Sequence, residues 1–164
     1  MIQRVFFSAL LAVLLSACGK DKPAVQAPPP AEPDSATITL HFQAVAGLNP
    51  GADGQAAPVR VRLYELKNSA TFTRADYFAL AERAQATLGV DLLDQDEVLI
   101  RPGQSLDVRR TLTPATRQLG LVVSYREIDQ ARWRTVISVL PRQSTEYTIS
   151  LDVRALQSTP TPAQ

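Results

Sequence analysis

Apolar and polar side chains alternate in a series of short runs along this chain, and that period-two rhythm restricts its fold more than any other feature. Ala36, Ile38, Leu40, Phe42 and Ala44 alternate with Thr37, Thr39, His41 and Gln43. In an extended chain the two sets point to opposite faces, one for a core and one for water. The beat recurs at Val59, Val61 and Leu63, with Arg60, Arg62 and Tyr64 between them. A third run ends at Val98-Leu99-Ile100, and Pro102-Gly103 turns into a fourth carrying Leu106 and Val108. Gln118 to Tyr125 is apolar on both faces, the mark of a central strand covered on both sides. Trp133, Thr135, Ile137 and Val139 mark a sixth strand, and Tyr147, Ile149, Leu151 and Val153 a seventh. Seven short strands with turn signals between them predict an all-β, two-sheet sandwich.

One segment, between the second and third strands, has the helical period instead. Thr73 is placed to cap it with Asp76 three residues on, and Phe72 and Tyr77 to staple it. Tyr77, Phe78, Ala81, Ala84 and Leu88 then share one face, and Gly89 stops the helix. Such a stripe must be buried, so it is expected to pack on or beside the sandwich.

The ends follow different rules. Arg4, an apolar run from Val5 to Leu15 broken by Ser8, and Leu15-Ser16-Ala17-Cys18 read as an export signal over residues 1–17. The apolar run is well short of the roughly 20 residues that span a bilayer. Cys18 is the single cysteine, so no intrachain disulfide exists. Residues 19–34 hold Pro23, Pro28, Pro29, Pro30 and Pro33 and read as a partly polyproline II tether, spanning roughly 50 Å at about 3.1 Å per residue. Residues 35–156 are expected to form the sandwich, and 157–164, rich in Ser, Thr and Pro, a flexible tail. Loss of Arg4 on cleavage takes 17 basic and 16 acidic side chains to 16 and 16. That balance gives no electrostatic reason for nucleic-acid binding.

Chemistry is sparse. His41, the lone histidine, falls on the polar side of the first strand, and no nucleophile-elbow pattern is present. Asp91, Asp94, Asp96 and Glu97 form an acidic cluster without EF-hand spacing, read as a solvated loop leading into a strand. Arg60, Arg62, Arg109, Arg110, Arg132 and Arg134 take mostly outward positions suited to solvating the sheet and blunting its edges. No catalytic residue, metal site or cofactor is assigned. The loop from Val45 to Pro58 is far longer than a hairpin requires, a length found in functional loops and in plainly flexible ones. Leu48 near its tip reads as an exposed apolar residue available to a partner, so that Leu48→Asp is expected to weaken a complex and spare folding.

The lipobox-like Leu15-Ser16-Ala17-Cys18, Asn49-Pro50, the run Pro58 to Leu66, Phe72 and Asp76 to Leu80 belong to one ordered set. Leu88, Asp91 to Leu93, Pro102-Gly103, Leu119 to Val123, Tyr125 to Asp129 and Trp133-Arg134 complete it. In this order and spacing they resemble the outer-membrane lipoprotein family of the type VI secretion system, TssJ, from about Ile38 to Val153. The resemblance implies a transthyretin-like sandwich with a helical addition. It implies acylation of Cys18 and, with Gly19 in place of Asp, an outer-membrane destination facing the periplasm. It also implies binding to the periplasmic C-terminal domain of an inner-membrane protein of the TssM type, through Leu48, Asn49, Pro50, Gly51, Ala52 and Asp53. A geometric expectation stands beside it. If successive strands reverse direction, the long loop, the turn with Pro102 and Gly103, and the turn with Ile128 and Asp129 share one end, away from where the chain enters. The other readings are a sandwich that binds carbohydrate or another small ligand, and a cell-envelope hydrolase using carboxylates of the 91–97 cluster.

Overall fold

A computed structural model describes residues 35–162. The signal segment, Cys18 and the proline-rich tether lie outside the described residues. Among the described residues, eight strands form two four-stranded sheets. They are β1 (Thr37–Ala44), β2 (Val59–Leu66), β3 (Leu92–Ile100), β4 (Ser105–Thr111), β5 (Gln118–Val123), β6 (Arg134–Ser138), β7 (Ser144–Leu151) and β8 (Leu156–Pro160). One sheet has the order β4-β1-β7-β8 and the other β3-β2-β5-β6. All pairs are antiparallel except β1 with β7, which run parallel.

The alternation is realised as expected. Ile38, Leu40 and Phe42 of β1, Val59, Val61 and Leu63 of β2, and Leu119, Leu121 and Val123 of β5 fill the space between the sheets. The far face of β2 and β5 is covered too. Tyr64, Leu66 and Val122 pack there with Phe72 and with Leu80, Ala84 and Leu88 of a helix, so β5 is central and buried on both sides. At Gly120 the fit allows no side chain: a Cβ there would sit 2.6 Å from the Phe72 ring.

The helical insertion differs in detail from its expected form. It is two pieces, α1 (Ala70–Arg74) and α2 (Tyr77–Leu88). Thr73 lies inside α1, its hydroxyl bonded to the carbonyls of Ser69 and Ala70, and the cap is Asp76, whose Oδ1 accepts the Ala79 N–H at 2.8 Å. Phe72 packs on Tyr64 at 5.7 Å. The buried stripe is Leu80, Ala84 and Leu88, with Tyr77 partly buried, whereas Phe78 is 56% exposed. Phe78 stands about 100° around the helix from Tyr77, too far to share its face. Gly89, at φ +53, ends α2 as expected.

The tail also needs correcting. Residues through Pro160 form β8, which pairs with β7 from Leu151–Leu156 to Tyr147–Pro160. Only Leu156 turns fully inward, and Pro160 is tolerated because β8 is an edge strand.

The acidic cluster is strand, not loop: Asp94, Asp96 and Glu97 belong to β3. Arg110 of β4 crosses the seam between the sheets and pairs with Glu65 at 3.4 Å, with Asp94 at 3.1 Å and with Asp96. Glu65 is 2% exposed and accepts hydrogen bonds from the Thr113 amide at 2.8 Å, the Thr113 hydroxyl and the Thr116 hydroxyl at 2.8 Å. Burial pushes its carboxyl up, but the Thr113 and Thr116 bonds and the Arg110 guanidinium outweigh burial and hold it below the ordinary glutamate value. Arg110 is therefore a seam closure. Arg134, also expected to face solvent, donates to the carbonyls of Phe72 at 3.1 Å and Ala75 at 2.6 Å, fastening α1 to β6. Among the described residues, no helix is long and apolar enough to cross a membrane.

Candidate partner-binding surface

The strand directions bring the connections after β1, β3, β5 and β7 to one end, and Ser35 enters at the other. Hydrogen bonds knit these loops together. The Val45 carbonyl accepts the Gly103 N–H at 3.0 Å, joining the long loop to the β3–β4 turn. The Asn49 N–H donates to the Val153 carbonyl at 3.1 Å, joining it to the β7–β8 turn. The Asn49 side chain does the rest. Its Oδ1 accepts the Arg126 N–H at 2.7 Å, and its Nδ2 donates to the Pro58 carbonyl at 3.1 Å. Asn49 sits at φ +50, a left-handed conformation that asparagine tolerates better than most residues. At the same end, the Tyr125 hydroxyl donates to the Asp152 carbonyl at 3.2 Å, and burial raises the phenol's pKa. Glu127 pairs with Arg154 across the same end.

The structure therefore brings together the residues singled out from the sequence, but sorts them into two groups. Leu48 is 0% exposed and belongs to the inter-sheet core, contrary to its reading as an exposed contact. The long loop folds back at this point, so the leucine plugs the end of the sandwich. Leu48→Asp would place an unpaired charge in the core and cannot spare folding. Asn49 is likewise buried, at 4%. Pro50, Gly51, Pro102 and Ile128 are half-buried, and Ala52, Asp53, Gly103 and Asp129 are exposed. These last residues, with Val45 at 39% exposure and with Arg101 and Arg126 exposed beside them, are among those the end presents to solvent.

Sequence reasoning missed the β7–β8 turn as a fourth wall, because β8 itself was missed. It also missed Arg126, whose guanidinium lies over Gly51 so that a Cβ there would meet Nη1 at 2.6 Å. No local pattern signals either.

His41 lies on the outer face of β1, as expected, with Nδ1 2.9 Å from Asp107 of β4 and Nε2 3.2 Å from Glu146 of β7. Its bonds to Asp107 and then Glu146 raise its pKa above the ordinary histidine value. Among the described residues, no group of three or more His, Cys, Asp or Glu is placed to hold a metal ion. Glu97, from the cluster weighed for hydrolysis, lies beside Arg60 and Arg62 at 3.5 and 3.7 Å.

Residues 36–154 match the family described as Type VI secretion lipoprotein, VasD, EvfM, TssJ. The chain is similar to the type VI lipoprotein TssJ1 from Pseudomonas aeruginosa, with 48% identity, 81% of this chain and 100% of that chain covered, and a TM-score of 0.74. It is 30% identical to a chain of a type VI membrane complex, covering 77% of this chain and 98% of that one at a TM-score of 0.66. A chain in a structure described as the type VI protein TssM C-terminal domain from EAEC has the same identity and coverages, at a TM-score of 0.62. Comparison with curated proteins gives no match.

Proposed function

The chain belongs to the type VI secretion lipoprotein family, TssJ, and from that premise we propose that it is the outer-membrane component of a type VI membrane complex, acylated at Cys18, whose loop end grips the periplasmic C-terminal domain of a TssM-type inner-membrane protein. The observation that carries this reading is the convergence of the four loops at the end opposite Ser35. A protein held by its N-terminal side then offers those loops to the periplasm. The relatives support the rest, since the chain resembles components of structures described as a type VI membrane complex and as the TssM C-terminal domain.

The proposed task is positional and needs no chemistry. Acyl chains hold one end in the periplasmic face of the outer membrane, and about 0.8 kcal/mol per buried methylene makes attachment by two or more chains stable. The loops hold a protein that crosses the periplasm. Asn49 and Leu48 serve by fixing the loop, while Ala52, Asp53, Pro102, Gly103, Ile128 and Asp129 supply the contact surface. The test is co-isolation from detergent-solubilised membranes. The native chain should carry radiolabelled palmitate and retain the TssM-type protein, and Cys18→Ala should lose the label. Ala52→Arg with Asp53→Arg should keep the label and lose the protein. Retention of the partner by the doubly charged loop would remove that loop from the interface.

A further inference from the structure

With Leu48 and Asn49 buried, the loop end exposes arginines such as Arg101 and Arg126 but, among the described residues, no aromatic side chain. Protein interfaces draw much of their affinity from aromatic as well as arginine side chains set in desolvated pockets. Such a pocket adjoins it. Where α2 begins, a groove of about 530 Å³ opens between the helix and the β5–β6 loop. Ile128 and Asp129, already part of the loop end, form one wall. Tyr77, Phe78 and Trp133 line the other parts. Tyr77 meets Phe78 edge-on at 5.3 Å and Trp133 edge-on at 5.5 Å. The Arg134 guanidinium lies 4.7 Å over the Trp133 ring, and its bonds to the carbonyls of Phe72 and Ala75 hold it there. The cluster is thus fixed in advance, yet Phe78 is left 56% exposed.

We propose that this groove is the second half of the partner-binding surface, taking an apolar side chain of the same periplasmic domain that the loops grip, with Phe78 as its anchor. The inference rests on the reading that the loop end binds that domain, and extends it along a surface made continuous by Ile128 and Asp129. The rim points to a folded protein as the occupant. Arg74 on one side and Asp76 and Asp129 on the others give charges of both signs around an aromatic floor, the pattern of an apolar interface core inside a polar rim. A lipid surface or nucleic acid would be met by one sign alone.

Trp133 is the sole tryptophan and reports from inside the groove. The full chain, isolated from membranes in detergent and labelled with 5-fluorotryptophan, gives one fluorine resonance. Titration with the purified C-terminal domain of the TssM-type protein should move that resonance. Phe78→Asp should weaken binding at least about thirtyfold, as expected of a hot-spot residue, with the thermal midpoint unchanged. Phe78→Ala, which adds no charge, should weaken it in the same direction. Wild-type affinity in both Phe78 variants, with binding lost in Ala52→Arg/Asp53→Arg, overturns the groove and leaves the loop reading intact. No binding by the native chain sinks both. A resonance that moves with peptidoglycan glycan fragments and not with the domain assigns the groove to sugar and overturns the proposal.

Discussion

Asn49→Ala should release the long loop, and the size of the effect follows from the bonds it breaks. The substitution strands the Arg126 N–H and the Pro58 carbonyl, which the Asn49 side chain now meets at 2.7 and 3.1 Å. Each stranded, part-buried group costs about 1 kcal/mol or more. Alanine at φ +50 adds about 1 kcal/mol of backbone cost that asparagine largely avoids. The sum is about 3 kcal/mol, equivalent to roughly a hundredfold change in an opening equilibrium. Hydrogen exchange reads it directly, because the Arg126 amide is one of the stranded groups. That amide should exchange about a hundredfold faster in Asn49→Ala, while amides in the middle of β5 change little. Asn49→Gly, which relieves the backbone cost and still loses both bonds, should fall between alanine and wild type. Wild-type protection of Arg126 in both variants would refute the reasoning, since neither bond nor backbone would then be holding the loop.

Two further outcomes are expected. Gly120→Ala should cost about 1–3 kcal/mol by overpacking, because its Cβ would meet the Phe72 ring at 2.6 Å; urea unfolding checks this, and adding Phe72→Leu should recover part of the loss. His41 predicts a pH dependence with a definite sign: its folded pKa lies above the unfolded value, so its contribution is complete below pH 6.5 and fades as pH rises through the folded value. The urea midpoint should therefore fall on that rise, and His41→Gln should flatten the slope; an unchanged slope in the variant would remove His41 as its source.

How much of this was legible in the sequence depends on whether a residue's neighbours lie near it in the chain. Strands β1, β2, β5 and β7 were readable because alternation is local, and so was the double burial of β5, whose Gly120 and Val122 signal a second covered face. β8 was not, because Ser158 and Thr159 carry no apolar beat and its pairing with β7 is what makes it a strand. The helix was readable, its stripe only partly: Phe78 is as apolar as Tyr77, and the sheet chose the Leu80 side. At the binding end, the convergence of the loops follows from strand directions alone. Leu48 was misread as exposed because the fold-back that buries it is fixed by bonds of Asn49 with Pro58, Arg126 and Val153, partners that only the folded chain brings close. Arg110 was misread as solvating the sheet, and Glu65 was given no role, for the same reason: both are charged residues whose roles arise across the seam.

The placement of β1 has a mechanical consequence. The strand leads directly from Ser35 to the loop end and lies between β4 and β7, in register with both along its length. Tension applied between its two ends therefore acts parallel to the strand and perpendicular to its ladder of hydrogen bonds. Rupture in that shearing geometry requires the rows on both sides to yield together, whereas pulling from a sheet edge would open bonds one after another. A molecule strained between a membrane and a moving machine is thus loaded along its most resistant axis.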